Sequence, residues 1–99
     1  MVNASRGATL DVHHEPAAHR FVARIGAVEA VLEYDSLDAN TLEYHHTFVP
    51  PALRGGGIAS QLTAFALRYA RENGVKVRPT CPFVSRYVAR HPEFQPLVA

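Results

Sequence analysis

The stretch His46-Thr47-Phe48-Val49-Pro50-Pro51-Ala52-Leu53-Arg54-Gly55-Gly56-Gly57-Ile58-Ala59 decides how the rest of this 99-residue chain is read. An extended run stops at two prolines, which remove backbone donors, and three glycines then lead into a helical pattern. With no β-carbons at the turn, several N–H groups can point into one concavity, where the dipole of the following helix adds partial positive charge. The reading is a phosphate cradle suited to a pyrophosphate. Arg54 opens it with a permanent charge that can bind a pair of phosphate oxygens, and Gly55, Gly56, Gly57, Ile58, Ala59 and Ser60 form the rest of the candidate anion site.

Two common glycine motifs do not fit. A P-loop needs Lys and then Ser or Thr after its last glycine, where this chain has Ile58-Ala59. The pattern G-x-G-x-x-G fails because position 60 is Ser and no early βαβ unit precedes the loop.

Upstream of the loop, alternation predicts strands. Thr9 to His14 reads as a short first strand, followed by a turn at Glu15-Pro16-Ala17-Ala18. His19 to Ile25 and Ala27 to Tyr34 form a hairpin around Gly26, with Phe21, Ala23 and Ile25 on one face of the first arm and Val28, Ala30, Leu32 and Tyr34 on one face of the second. Asp35 to Asn40 is rich in turn formers, and Thr41 to Val49 is the next strand. Strict alternation along it sets Leu42, Tyr44, His46 and Phe48 on one face, and Glu43, His45 and Thr47 on the other. His46 is therefore expected in an apolar row.

Downstream, Gly57 to Asn73 is an amphipathic helix with Ile58, Leu62, Phe65 and Tyr69 at helical spacing, closed by Gly74. Val75 to Thr80 is a short strand. Strand, helix and strand in this order make a parallel crossover, which is expected to carry His46, the glycine loop and Cys81 to the same edge of the sheet. Pro82 opens a second helix over Phe83 to Arg90, and His91 to Pro96 is an irregular tail whose Phe94 packs back on the core. The fold class is α+β, a mixed and mostly antiparallel sheet in the order β-β-β-β-α-β-α. Residues 1–99 are expected to form a single domain, with 1–8 poorly ordered.

Composition narrows the partners. Ten basic and nine acidic residues leave a net charge of +1, and their dispersal along the chain marks no footprint for nucleic acid or an anionic membrane. A lone cysteine, Cys81, precludes an intrachain disulfide and suits a reducing cytoplasm, the expected location. No apolar run is long enough to span a bilayer. The six histidines show no zinc spacing, and the adjacent pairs His13-His14 and His45-His46 point to opposite faces of their strands, so no metal is expected.

The loop resembles the acyl-CoA loop of the GNAT acetyltransferases, R/Q-x-x-G-x-G/A, matched by Arg54, Gly57 and Ala59, with Val49, Pro51 and Ile58 also similar. Together with the downstream run CPFVSRYVARHPEF, it resembles the small single-domain branch of that superfamily, of about one hundred residues. The resemblance spans Phe21 to Phe94 in element order. It implies acetyl-CoA as cosubstrate, pantetheine lying between two splayed parallel strands, backbone around Phe48 and Val49 meeting the pantetheine arm or thioester, and pyrophosphate at Arg54 to Ser60. It also implies an amine acceptor, which the sequence does not identify. The usual Glu on the strand before the loop is replaced by His46 and His45. Where an Asn often stands seven residues before a thiolate-protonating Tyr on the last helix, this chain has Thr80 before Tyr87.

Three residues are candidates for the chemistry. His46, mostly neutral near pH 7 in its ordinary form, can take the proton of an attacking amine. Cys81 can carry an acetyl group, since thioester exchange is nearly isoenergetic and a helix begins just after it. Tyr87 can quench the leaving thiolate. The leading function is an acetyl-CoA-dependent N-acetyltransferase, monomeric or a small homo-oligomer; the alternatives are a non-catalytic CoA-binding module and, third, an RNA-binding domain.

Overall fold

The computed structural model describes residues 10–99. Expectations for residues 1–8 and for Thr9 lie outside the described residues. Five strands form one sheet in sequence order: β1 Asp11–Glu15, β2 Arg20–Ile25, β3 Val28–Asp38, β4 Thr41–Phe48 and β5 Lys76–Arg78. The first four pair antiparallel, and β4 pairs parallel with β5. Two α-helices, α1 Ile58–Glu72 and α2 Pro82–Arg90, complete the expected order, with short 3-10 turns at Pro16–Ala18, Pro51–Leu53 and Pro92–Leu97.

The helices cover one face of the sheet. Phe21, Ala23, Ala30, Leu32, Tyr34 and Tyr44 meet Leu62, Ala66, Leu67 and Ala70 of α1, with Val84, Val88 and Phe94 extending the core. Small residues at 66 and 70 let α1 approach the aromatic row closely. Tyr44 is fully buried and donates its hydroxyl to the Ala66 carbonyl at 2.7 Å, tying the middle of β4 to the middle of α1. Burial pushes that phenol far above its ordinary range.

The opposite face is polar. Arg20, Arg24, Glu15, Glu29 and His13 interlock there by ion pairs and hydrogen bonds, and their stems shield Val22 completely.

Two irregularities correct the expected strand pattern. Glu33 pairs with His46 while Tyr34 pairs with Tyr44, so His45 is an extra residue outside the backbone register with β3, though its ring lies 3.6 Å from the Asp35 carboxylate. This β-bulge reverses the alternation beyond it. Thr47, opposite Leu32, turns to the helix face, and His46, opposite Glu33, turns to the polar face and is exposed. His46 is thus not part of an apolar row. The second irregularity lies between Ser36 and Asp38, where Leu37 is the extra residue and stays 41% exposed. Asp35 to Asp38 belong to β3 rather than to a turn, because Asp35 and Ser36 pair with Glu43 and Leu42; the reversal itself is Ala39-Asn40, where Asp38 Oδ1 accepts the Asn40 N–H at 2.7 Å. The tail is a 3-10 turn rather than irregular, and it does seat Phe94 in the core.

Thr63, on the buried side of α1, has a fully buried hydroxyl with no hydrogen-bond partner among the described residues. Thr63→Val keeps the shape and removes the unsatisfied group, so we expect a gain of about 1 kcal/mol, read as a higher denaturant midpoint. His14 stacks on Phe21 at 4.4 Å and shares a 2.7 Å hydrogen bond with the Tyr34 hydroxyl. Burial first, and His19 second, hold its pKa below the ordinary 6.5. The folded state therefore resists a proton that the unfolded chain accepts, so this contribution is intact above pH 6.5 and is lost as the pH falls through the lowered value. Denaturant midpoints at pH 7.5 and 5 should differ less in His14→Phe than in the parent chain.

Candidate active site

The site lies where β4 and β5 part. Their pairing is limited to Thr41, Leu42 and Glu43 against Lys76, Val77 and Arg78. One step further, the Cys81 N–H donates to the Tyr44 carbonyl at 3.0 Å, and beyond it no backbone bond joins β4 to the second chain segment. The edge of β4 from Thr47 to Val49 thus stands open toward the helix side. Pro79 and Pro82 flank this departure, each lacking the donor that continued pairing would use.

At the opening, Thr47 Oγ1 and Cys81 Sγ are 3.5 Å apart. Cys81 is 6% exposed and is the N-cap residue of α2. The bulge at His45 brings Thr47 to it, and the same bulge sends His46 to the other side of β4. The structure therefore brings Thr47 and Cys81 together and sets His46 on the opposite face. His46 has Glu33 as its cross-strand neighbour and lies on the same face as Phe48, which is 45% exposed.

Past Phe48 the chain makes the 3-10 turn Pro51–Leu53, closed by hydrogen bonds from Leu53 N to Pro50 O and from Arg54 N to Pro51 O. Arg54 Nε donates to the Val49 carbonyl at 2.9 Å, fastening the turn across its mouth. Gly55 and Gly57 then adopt φ of +87° and +78°, a left-handed backbone that side chains disfavour. Helix α1 starts without a side-chain cap. Among the described residues, the N–H groups of Gly55, Gly56, Gly57, Ile58, Ala59 and Ser60 donate to no backbone carbonyl outside the helix ladder and to no side chain. Such a row at the positive end of a 15-residue helix leaves donors that an anion can meet.

This loop opens on a cavity of about 220 Å³ lined by Val49, Leu53, Arg54, Gly55, Gly57, Ile58, Ala59, Ser60 and Phe83. Of these, Val49, Arg54, Gly55, Gly57, Ile58, Ala59 and Ser60 are residues that the sequence reading names for the cofactor, and Leu53 and Phe83 are not. Phe48 and Gly56 are outside its lining. Tyr87 lines a neighbouring cavity instead, stacked on His91 with ring centres 3.9 Å apart. Burial first and the charge of Glu93 second raise its phenol pKa, while Arg68 opposes them. Thr47 was missed because a bulge leaves no mark in an alternating sequence. Phe83 reads from the sequence only as the first residue of a helix, and its spacing one helical turn before Tyr87 gives no sign of a cavity wall.

Contrary to the even dispersal expected from their numbers, the charges divide along the chain near Val49. Seven of the nine acids lie in the described segment before Val49 (Asp11, Glu15, Glu29, Glu33, Asp35, Asp38 and Glu43), against Arg20 and Arg24. From Val49 onward Arg54, Arg68, Arg71, Lys76, Arg78, Arg86 and Arg90 face only Glu72 and Glu93. The loop and both cavities belong to the basic part. Among the described residues no group of three His, Cys, Asp or Glu side chains is placed to hold a metal ion, and no helix is long and apolar enough to cross a membrane.

Comparison with known proteins agrees with this geometry. The sequence profile of the GCN5-related N-acetyl-transferases matches residues 20–97. The chain is 33% identical to protein NATD1 of Gallus gallus over 89 residues, covering 88% of this chain and 81% of that protein. It is equally identical to protein NATD1 of Homo sapiens, over 88% of this chain and 79% of that one. Its fold is similar to the NMR solution structure of a GCN5-like protein from Staphylococcus aureus, with a TM-score of 0.71, 24% identity, and coverage of 91% of this chain and 88% of the other. A parallel pair that splays, an amide-lined loop at the start of the crossover helix and a profile match across the sheet and both helices lead to one conclusion: the chain belongs to the GCN5-related N-acetyltransferase family.

Proposed function

We propose that this chain acts as a minimal acetyl-CoA-dependent N-acetyltransferase with an amine acceptor. The observation that carries the reading is the row of unbonded amides from Gly55 to Ser60, beside the open edge of β4. The amides and Arg54 suit the diphosphate of coenzyme A, and the backbone of Phe48 and Val49 suits the amides of its pantetheine arm. The thioester then falls near Thr47 and Cys81, at the base of the opening.

Direct attack by the amine fits this arrangement better than an acetyl-cysteine intermediate. A cysteine nucleophile works with a base in hydrogen-bond reach, and the polar neighbour of Cys81 is the Thr47 hydroxyl, while His46 lies across the strand. His46 is exposed on the other face of β4, so in this scheme it takes the amine proton through a bridging water at the open edge of the strand rather than by direct contact. The departing thiolate takes its proton from solvent in this scheme, since Tyr87 lines the adjacent cavity; Tyr87 as the acid is the competing assignment.

Two experiments test the reading. Calorimetric titration should show coenzyme A binding to the parent chain, and Gly57→Ala should weaken it; a methyl at Gly57 meets nothing within 4 Å, so the cost is the left-handed backbone, about 1–2 kcal/mol. Absence of binding to the parent chain would reject the proposal. With a panel of amines scored by coenzyme A release, Cys81→Ser should retain turnover and His46→Gln should lose about a hundredfold in kcat with coenzyme affinity kept. Binding without turnover on any amine would leave a coenzyme-binding module, and covalent acetyl labelling lost in Cys81→Ser together with activity would establish double displacement.

A further inference from the structure

The loop cavity continues into a second one, of about 150 Å³, lined by Ser60, Phe83, Arg86, Tyr87, Arg90 and His91. Ser60 and Phe83 belong to both walls, so one ligand can occupy both spaces. Arg86 and Arg90 stand four residues apart on α2, a spacing at which like charges weaken a helix. Both are exposed, and among the described residues neither forms an ion pair. No acidic residue lines either cavity. The wall is stiffened by the Tyr87–His91 stack and by a 2.8 Å hydrogen bond in which His91 Nδ1 donates to the Tyr87 carbonyl.

Two unpaired guanidiniums on one short helix, facing a cavity without carboxylates, are a site for a doubly charged anion. A phosphate monoester carries nearly two charges at neutral pH and presents three strong acceptors, so it can bridge both arginines. The diphosphate reading already occupies the loop amides, and the second cavity is the next space along the same groove. We infer that Arg86 and Arg90 bind the 3′-phosphate of coenzyme A, so that this chain selects the phosphorylated coenzyme over its 3′-dephosphorylated form. The inference rests on the donor reading proposed above and adds a specificity device to it.

The test is calorimetric titration of the whole chain with coenzyme A and with 3′-dephospho-coenzyme A. The two ligands are compared in the parent, in the double variant Arg86→Gln/Arg90→Gln, and in Arg24→Gln, which removes a charge from the far side of the sheet. The parent should bind coenzyme A about tenfold or more tightly than the dephosphorylated form, as expected for charge-assisted hydrogen bonds to one phosphate. In the double variant that preference should collapse to about twofold or less, with the affinity for the dephosphorylated form unchanged, and Arg24→Gln should keep the parent's preference. Circular dichroism confirms that the exposed substitutions leave the fold intact. Equal binding of the two ligands by the parent, or equal weakening of both in the double variant, overturns the inference while leaving the donor reading in place. Failure of the parent to bind either ligand defeats the donor reading itself.

Discussion

The hydrogen bond from the Cys81 N–H to the Tyr44 carbonyl is the point on which the site depends. It is the last link between β4 and the segment that follows β5, and it fixes where the sheet divides. On one side of it the parallel pair is closed and its residues pack in the core. On the other side β4 carries free backbone groups along an open edge, which a sheet normally pairs or covers. Tyr44 itself is held by its buried hydroxyl on the Ala66 carbonyl, so helix α1 fixes the fork in the sheet as well as covering it. The glycine loop lies at the start of that same helix. Its row of free amides and the open strand edge therefore keep a set distance.

A single extra residue then sorts the chemistry between two faces. Because His45 lies outside the backbone register with β3, the strand places Thr47 toward Cys81 and His46 toward solvent beside Glu33. Without the bulge, His46 would have pointed at the helices and Thr47 away from them. The arrangement separates the groups near the proposed thioester from the group proposed to receive the acceptor's proton. In the proposed scheme a water at the open edge of β4 bridges that separation.

Charge follows the same division. The strands up to β4 carry most of the carboxylates, and the loop and helices carry most of the unpaired arginines. A net charge of +1 hides this.

The sequence by itself determined the element order, the parallel crossover, the glycine turn that leads into the crossover helix and the aromatic and aliphatic rows of the core. Each of these rests on local rules: period-two and helical spacing, proline's missing donor, and the backbone freedom of Gly55 and Gly57. Tertiary structure decided which way β4 faces beyond Tyr44, that Asp35 and Ser36 extend a strand, that Tyr87 borders the second cavity and that Phe83 joins the two cavities. These depend on register. A bulge shifts pairing by one residue and so reverses every side chain after it, and the pairing that admits it is settled by contacts between segments far apart in the chain.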